Sequence, residues 1–175
     1  VWRGGYEYKI NQIIGFSHIH SWTMGGLLTM PVTGPLKIKP GEENEPDSGY
    51  RSRINHKNEK ASLSYYSVLL DDYNIKAELT STTRTGFQRY TFPKSDSSRI
   101  LFDLENGSEY PYEVRWASIS KVSDYEIEGF STQSSYDEPT NLLNDYTVYF
   151  VARVDKPMKS FGTWVNGYVD TTSSI

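Results

Sequence analysis

Cysteine is absent from the 175 residues, so neither a disulfide framework nor a thiolate metal site is possible. An excess of basic charge is absent too: 18 Lys and Arg against 22 Asp and Glu leave a formal net charge of -4. The two signs are spread along the chain, which argues against the basic patch or stripe of an electrostatic nucleic-acid binder. No apolar run approaches the roughly 18 residues that span a bilayer. The first eight residues, VWRGGYEY, are aromatic and polar and lack the basic-then-apolar pattern of a signal peptide. The opening VWRGGYEYKI reads like the middle of a domain, so a piece of a longer polypeptide is expected. No internal repeat is visible, and the length suits one well-buried domain.

Helical periodicity is also scarce, and strand signals take its place. Aromatic residues make up 14% of the chain and are mostly tyrosine, which favours half-buried pleated surfaces and also suits contact with sugars. SYYSVLLDD (Ser64 to Asp72) is aromatic and β-branched and stops at acidic turn residues. Asp72-Tyr73-Asn74 reads as a short connection. IKAELTS follows, with Ile75, Ala77 and Leu79 on one face and Lys76, Glu78 and Thr80 on the other, the period of a half-buried strand. Tyr66, Val68 and Leu70 are expected on one face of the strand that pairs with it. After a turn at Thr85-Gly86, GFQRYTFP continues as a third strand until Pro93, giving an antiparallel meander.

Later strands are expected at RILFDL (Arg99 to Leu104), YEVRWASIS, DYEIEGFSTQ, YTVYFVARV (Tyr146 to Val154) and SFGTWVNGYV. In YEVRWASIS the alternation of Val114, Trp116 and Ile119 is imperfect and suggests a bulge. Ser135 to Asp145 reads as a long polar connection with at most one helical turn near Leu142. Pro40 to Lys60 (PGEENEPDSGYRSRINHKNEK) is charged and turn-rich. It is expected to be a surface excursion, mobile near Glu42 to Ser48, that packs no core. The fold class is therefore all-β, with antiparallel sheets face to face or closed in a barrel.

The stretch GFSHIHSWTMGG (Gly15 to Gly26) gathers more chemically capable side chains than any other. A His-x-His pair on a strand sends both imidazoles to one face, which suits zinc or iron. Such a site needs a third and a fourth ligand, and His56 is the one other histidine. Histidines hydrogen-bonded in or near the core, and contacts to a polar ligand, are the other readings. Ser17 and Ser21 flank the pair without a nucleophile elbow. Gly25 and Gly26 lack the lysine of a phosphate loop, so they supply backbone freedom or close approach.

The order of segments adds a resemblance. GFSHIHSWTMGG, a strand at Met30-Pro31, SRINHKNEKASLSYYSVLLDDYNIKAELTSTTRTGFQRYTFP and ILFDL resemble the N-terminal domain of glycoside hydrolase family 92, the calcium-dependent bacterial exo-α-mannosidases. That family shows G-F-S-H-T-H-L-S-G-T-G, then S-R-F-S-H-x-x-E-x-A-x-x-G-Y-Y, then I-x-x-E-L-T-A-T-T-R-x-G-x-H-R-Y-T-F-P. Ser17, His18 and His20 fall on its S-H-x-H, Gly25 or Gly26 near its last glycine, His56 and Glu59 on H-x-x-E, Arg84 on T-T-R and Arg89 on H-R-Y. The family's L-S-G-T-G is replaced by Ser21-Trp22-Thr23-Met24-Gly25, and Gln88 stands for a common histidine.

The resemblance implies a β-supersandwich of the galactose-mutarotase-like kind, an antiparallel β-sandwich. It would pack against a larger helical barrel domain of the same polypeptide, with the sugar site between them. It implies an enzyme of the α-1,2-mannosidase kind acting on α-mannosides of glycans, placed in the periplasm, at the cell surface or outside the cell. The acid and base carboxylates and most of the calcium environment would belong to the absent domain. No catalytic residue, metal ligand or cofactor is expected in this chain. The substrate-binding residues expected here are His18, His20, Trp22, Gly25 and Arg84, with Trp22 a candidate stacking platform. A freestanding carbohydrate-binding module and a small His-x-His metalloenzyme are the competing readings.

Overall fold

The computed structural model describes residues 6–18, 27–105, 113–137 and 142–171. They are all-β with antiparallel pairing throughout, in the manner of a β-sandwich. They fall into two compact units, one holding the described residues up to Asp103 and the other those from Leu104 onward.

The first unit contains β1 (Gln12–Ile13), β2 (Leu28–Val32), β3 (Ser52–Arg53), β4 (Lys60–Ser62), β5 (Tyr65–Leu70), β6 (Ile75–Ser81), β7 (Gly86–Thr91) and β8 (Arg99–Asp103). Its largest sheet runs β4-β5-β6-β7, and β2-β8 and β1-β3 form two-stranded sheets. The period-two pattern is realised as read: Tyr66 opposes Leu79, Val68 opposes Ala77 and Leu70 opposes Ile75. Val68, Leu70, Ile75 and Ala77 are fully buried. The β5–β6 loop closes with Asn74 at φ 51°, a left-handed position that asparagine tolerates. β2 is buried on both faces, and the side chain of Thr29 meets Gln88 and Tyr90 of β7, so its sheet and the four-stranded one share a core. Pro31 is tolerated in β2 because, like Thr29 two residues before it, its nitrogen faces the edge away from β8, where the one pairing among the described residues is the Phe16–Thr29 bridge.

The segment between Pro40 and Lys60 departs from expectation. Residues 42–45 are exposed, but Tyr50 and Ser52 are fully buried and Ile54 nearly so. The phenol of Tyr50 donates to Asp103 Oδ2 at 2.6 Å, and both residues lie in the core. The chain reaches this depth through short 3-10 turns at Pro46–Ser48 and His56–Asn58. One aromatic ring with a satisfied hydroxyl fills the space that a run of aliphatic side chains would otherwise take.

The second unit holds β9 (Glu113–Ser123), β10 (Glu126–Asp137) and β11 (Leu142–Arg153) in the order β11-β10-β9, and the hairpin of β12 (Thr163–Val165) and β13 (Tyr168–Asp170). The bulge read near Trp116 is present: Thr132 opposes Trp116 while Gln133 opposes Val114, so Arg115 is the extra residue. Two expectations are corrected. Much of the stretch read as a polar connection, residues 135–137 and 142–145, is strand, because β10 and β11 stay paired as far as Asp137 and Leu142. SFGTWVNGYV is not one strand but a tight hairpin, with Asn166 at φ 51° and Gly167 at φ 84°, the two positive-φ positions of a type I′ turn.

Truncation of the β5 core checks this architecture. Leu70→Ala should cost about 2–5 kcal/mol in urea unfolding, from lost burial and the cavity left behind. Leu63→Ala, at the β4–β5 hairpin tip where Leu63 is 97% exposed, should stay within about 0.5 kcal/mol of the parent.

Candidate functional site

Of the residues expected to contact sugar, His18 and Arg84 are described, and His20, Trp22 and Gly25 lie outside the described residues. His18 is delivered by a short, well-tied segment. Gly15 lets Leu28 close in, for a Cβ there would lie 2.6 Å from Leu28 Cγ. Phe16 then pairs with Thr29 through backbone bonds of 2.8 and 2.9 Å, and its ring is buried beside Tyr90. Two residues on, the His18 ring rests against Gly86 at the start of β7.

The anchor beneath is polar and compact. Gln88 Oε1 accepts from the Tyr90 phenol at 2.5 Å and lies 2.8 Å from Thr29 Oγ1. Thr29 Oγ1 is also 3.0 Å from the Phe16 carbonyl, so its single proton serves one of the two acceptors. Burial raises the Tyr90 phenol well above its ordinary range and keeps it a donor. Gln88, where the family commonly has histidine, is therefore a structural acceptor that holds β7 to β2.

His18 borders a shallow depression of about 290 Å³ whose other walls include Ser62, Tyr65, Tyr66, Leu79 and Thr80. Among the described residues no charged side chain lines it. A larger depression of about 470 Å³, walled by Lys9, Gln12, Glu42 and Glu43 among others, carries neither histidine nor aromatic side chain. Partial burial of the His18 imidazole pushes its pKa below the ordinary value, so at neutral pH the ring is uncharged, with one donor and one acceptor nitrogen. Arg84 is exposed in the β6–β7 loop and does not line the depression, although Thr80 and Ser81 at the end of β6 do.

The two tyrosines of the wall are each fixed by a carboxylate. Tyr65 donates to Glu78 Oε1 at 2.6 Å, and Arg89 grips the same carboxylate through two bonds of 2.8 Å. Lys76 adds a contact at 3.1 Å. Hydrogen bonds from Arg89, Tyr65 and Lys76 hold Glu78 far below the usual carboxylate range. Tyr66 donates to Glu59 Oε1 at 2.6 Å, while Glu59 Oε2 takes the Tyr6 phenol at 3.0 Å and His56 Nδ1 at 2.6 Å. The Tyr8 ring stacks on His56 at 4.2 Å. Burial, and then the Glu59 carboxylate, push the Tyr66 phenol far up, so it stays protonated. The H-x-x-E pair is thus a hydrogen-bonded dyad that holds a wall residue. Tyr65 and Tyr66 were legible only as strand tyrosines. The signal that marks them is the pair of carboxylates at Glu59 and Glu78, which come to them only in the folded chain.

Among the described residues no group of three or more histidine, aspartate or glutamate side chains is arranged to hold a metal ion. No helix among them is long and apolar enough to cross a membrane.

The Glu59 dyad has a pH signature. Burial pushes the Glu59 carboxyl up, but hydrogen bonds from Tyr66, His56 and Tyr6 outweigh it and leave the group below its ordinary value. The unfolded chain then binds the proton first on acidification, so the stabilisation is present above the ordinary glutamate range and lost as pH falls through the lowered value. Glu59→Gln should cost on the order of 1–3 kcal/mol near neutral pH. It should also flatten the decline in stability between about pH 5 and about pH 3. Urea unfolding of both proteins across that range is the measurement.

The family described as Glycosyl hydrolase family 92 N-terminal domain matches residues 1–174. No curated protein matches the chain. Among solved structures it is similar to a family GH92 alpha-mannosidase from Bacteroides thetaiotaomicron in complex with mannoimidazole, at 34% identity and a TM-score of 0.81. That likeness covers 90% of this chain and 20% of the relative. A second structure of that mannosidase gives 33% identity and a TM-score of 0.80, over 90% of this chain and 21% of the relative. The chain thus spans about a fifth of the length of these relatives, and the rest of them has no counterpart in it. With the match running through all but the last residue, the chain belongs to glycoside hydrolase family 92 as its N-terminal domain.

Proposed function

We propose that this domain is the non-catalytic β-sandwich part of a two-domain α-mannosidase, and that its His18 depression forms one wall of the sugar site. The observation that carries the reading is an uncharged imidazole beside a depression walled by hydroxyl and phenol groups, with no ionic side chain in it. Neutral donors and acceptors next to aromatic rings suit a polyhydroxylated, uncharged ligand. His20, Trp22 and Gly25, which follow His18 in the chain, and Arg84 in the β6–β7 loop are proposed as further contacts. Trp22 is the position at which glycan preference would depart from the family.

The general acid and base would come from the helical domain that completes the longer chain, and calcium would be held mainly there. Removal of mannose from glycans places such a protein in the periplasm, at the cell surface or outside the cell.

The 175-residue chain should release no product from aryl α-mannosides with calcium present, because general acid–base groups contribute roughly 10²–10⁴-fold each. Turnover by the chain alone would overturn the two-domain reading. In the full-length enzyme, His18→Ala should lower kcat/KM roughly 5- to 150-fold, the range of about 1–3 kcal/mol for one lost polar contact. Unchanged kinetics in a variant that melts like the parent would remove His18 from the site.

A further inference from the structure

β7 begins at Gly86, opposite Ser81 of β6. A glycine inside a strand normally weakens it, because the residue has no side chain to pack and loses more freedom on ordering. It is usually retained where the backbone needs a positive φ. Gly86 is not among the positive-φ glycines of the described chain, so an alanine would fit its backbone. The reason for the glycine lies in what occupies its side-chain position. A Cβ built there would lie 2.3 Å from both Cγ and Cδ2 of His18 and 2.8 Å from Nε2. Those distances are well inside van der Waals contact. Cγ is the root of the imidazole, so rotating the ring about its own bond would not relieve the clash. The whole side chain would have to leave.

We propose that Gly86 is a positioning residue: its missing side chain is the seat of the His18 imidazole and fixes that ring at the rim of the depression. The inference rests on the reading of His18 as a sugar contact, but the seat itself is a property of this chain and can be tested without sugar. The seat covers part of the ring, and that cover is what lowers its pKa, for no carboxylate or cation lines the depression. A methyl group at Gly86 would expel the ring into water while leaving the strand register intact. Gly86 would then act on substrate only through His18.

The test is a double-mutant cycle on the 175-residue chain, with Gly86→Ala, His18→Ala and the two combined. The first readout is the titration of the His18 ring by NMR. In Gly86→Ala its midpoint should move up toward the ordinary histidine value. A merely structural glycine would not move it. The second is thermal unfolding: the methyl should be tolerated once His18 is alanine, so the combined variant should melt within a few degrees of His18→Ala. The third is kcat/KM of the full-length enzyme on an aryl α-mannoside, expected to fall in Gly86→Ala and to fall no further when Gly86→Ala is added to His18→Ala. An unmoved His18 titration in Gly86→Ala would overturn the seat. So would a combined variant that fails to fold, because the glycine would then be needed for another reason. A moved titration with unchanged kcat/KM in the full-length His18→Ala and Gly86→Ala enzymes would uphold the seat and sink the sugar reading, so the two failures are distinguishable.

Discussion

One buried phenol holds the first unit together. Tyr50 sits in the core with its hydroxyl on the Asp103 carboxylate, its amide on the Lys39 carbonyl and its own carbonyl accepting from the Tyr73 phenol. A carboxylate in the core is costly without hydrogen bonds, so Asp103 needs its donors. The bond joins the otherwise polar excursion to β8, and the Tyr73 contact joins it to the β5–β6 turn. The following residues are then placed in order. Arg53 lies between Asp47 and Asp72, Ser52 and Arg53 pair with β1, and the 3-10 turn at His56–Asn58 brings Glu59 under Tyr66. The wall of the depression that His18 borders is thus fixed by a ring buried earlier in the chain.

That dependence explains which parts of the fold could be read in advance. β5 and β6 were legible because both of their faces have distinct chemistry: Val68, Leu70, Ile75 and Ala77 turn into the core, and Lys76 and Glu78 lie on the other face, where Glu78 is covered by its donors. A register slip of one residue would reverse both sets, so the pattern and the pairing specify each other. The excursion was misread because its local composition is polar and its buried positions, Tyr50, Ser52 and Ile54, alternate over only five residues with a serine among them. The partner that satisfies the Tyr50 hydroxyl lies 53 residues away. β10 and β11 were both expected, but their outer continuation, residues 135–137 and 142–145, was read as a connection. The sequence there is largely polar, and strand is maintained by continuation of the ladder rather than by side-chain pattern. The Asn166-Gly167 turn carried a recognisable signal between two short aromatic runs, and reading the segment as one strand passed over it.

The site divides along the same line. His18 could be singled out because chemically capable residues are concentrated around it, and its match to the family motif strengthened the choice. The groups that place it could not. Gly86 reads as a turn glycine beside Thr85, yet it lies inside the strand and its role depends on a ring 68 positions earlier, close to it only after β2 and β7 have met. Arg84 illustrates the converse. It falls on the family pattern, but the described fold leaves it on an exposed loop away from the depression that His18 borders.

Among the described residues the charges near the depression are arranged so that none enters it. Tyr65 and Tyr66 are successive residues of β5 and so leave the strand on opposite faces. Each carries its proton to a different carboxylate, Glu78 on one face and Glu59 on the other. Those carboxylates are in turn held by Arg89 and Lys76 and by His56 and Tyr6. Both carboxylates are therefore engaged by donors, and what the described residues leave at the rim is a neutral imidazole, hydroxyl groups and tyrosine. A cationic or anionic ligand would find no counter-charge there and would lose hydration on entering. An uncharged ligand rich in hydroxyl groups gives up less, and it can exchange water for donors and acceptors already fixed in place. Selectivity against charge would thus lie in the carboxylate networks behind the wall, and on the sugar-site proposal selectivity among sugars would fall to His18 and the other proposed contacts.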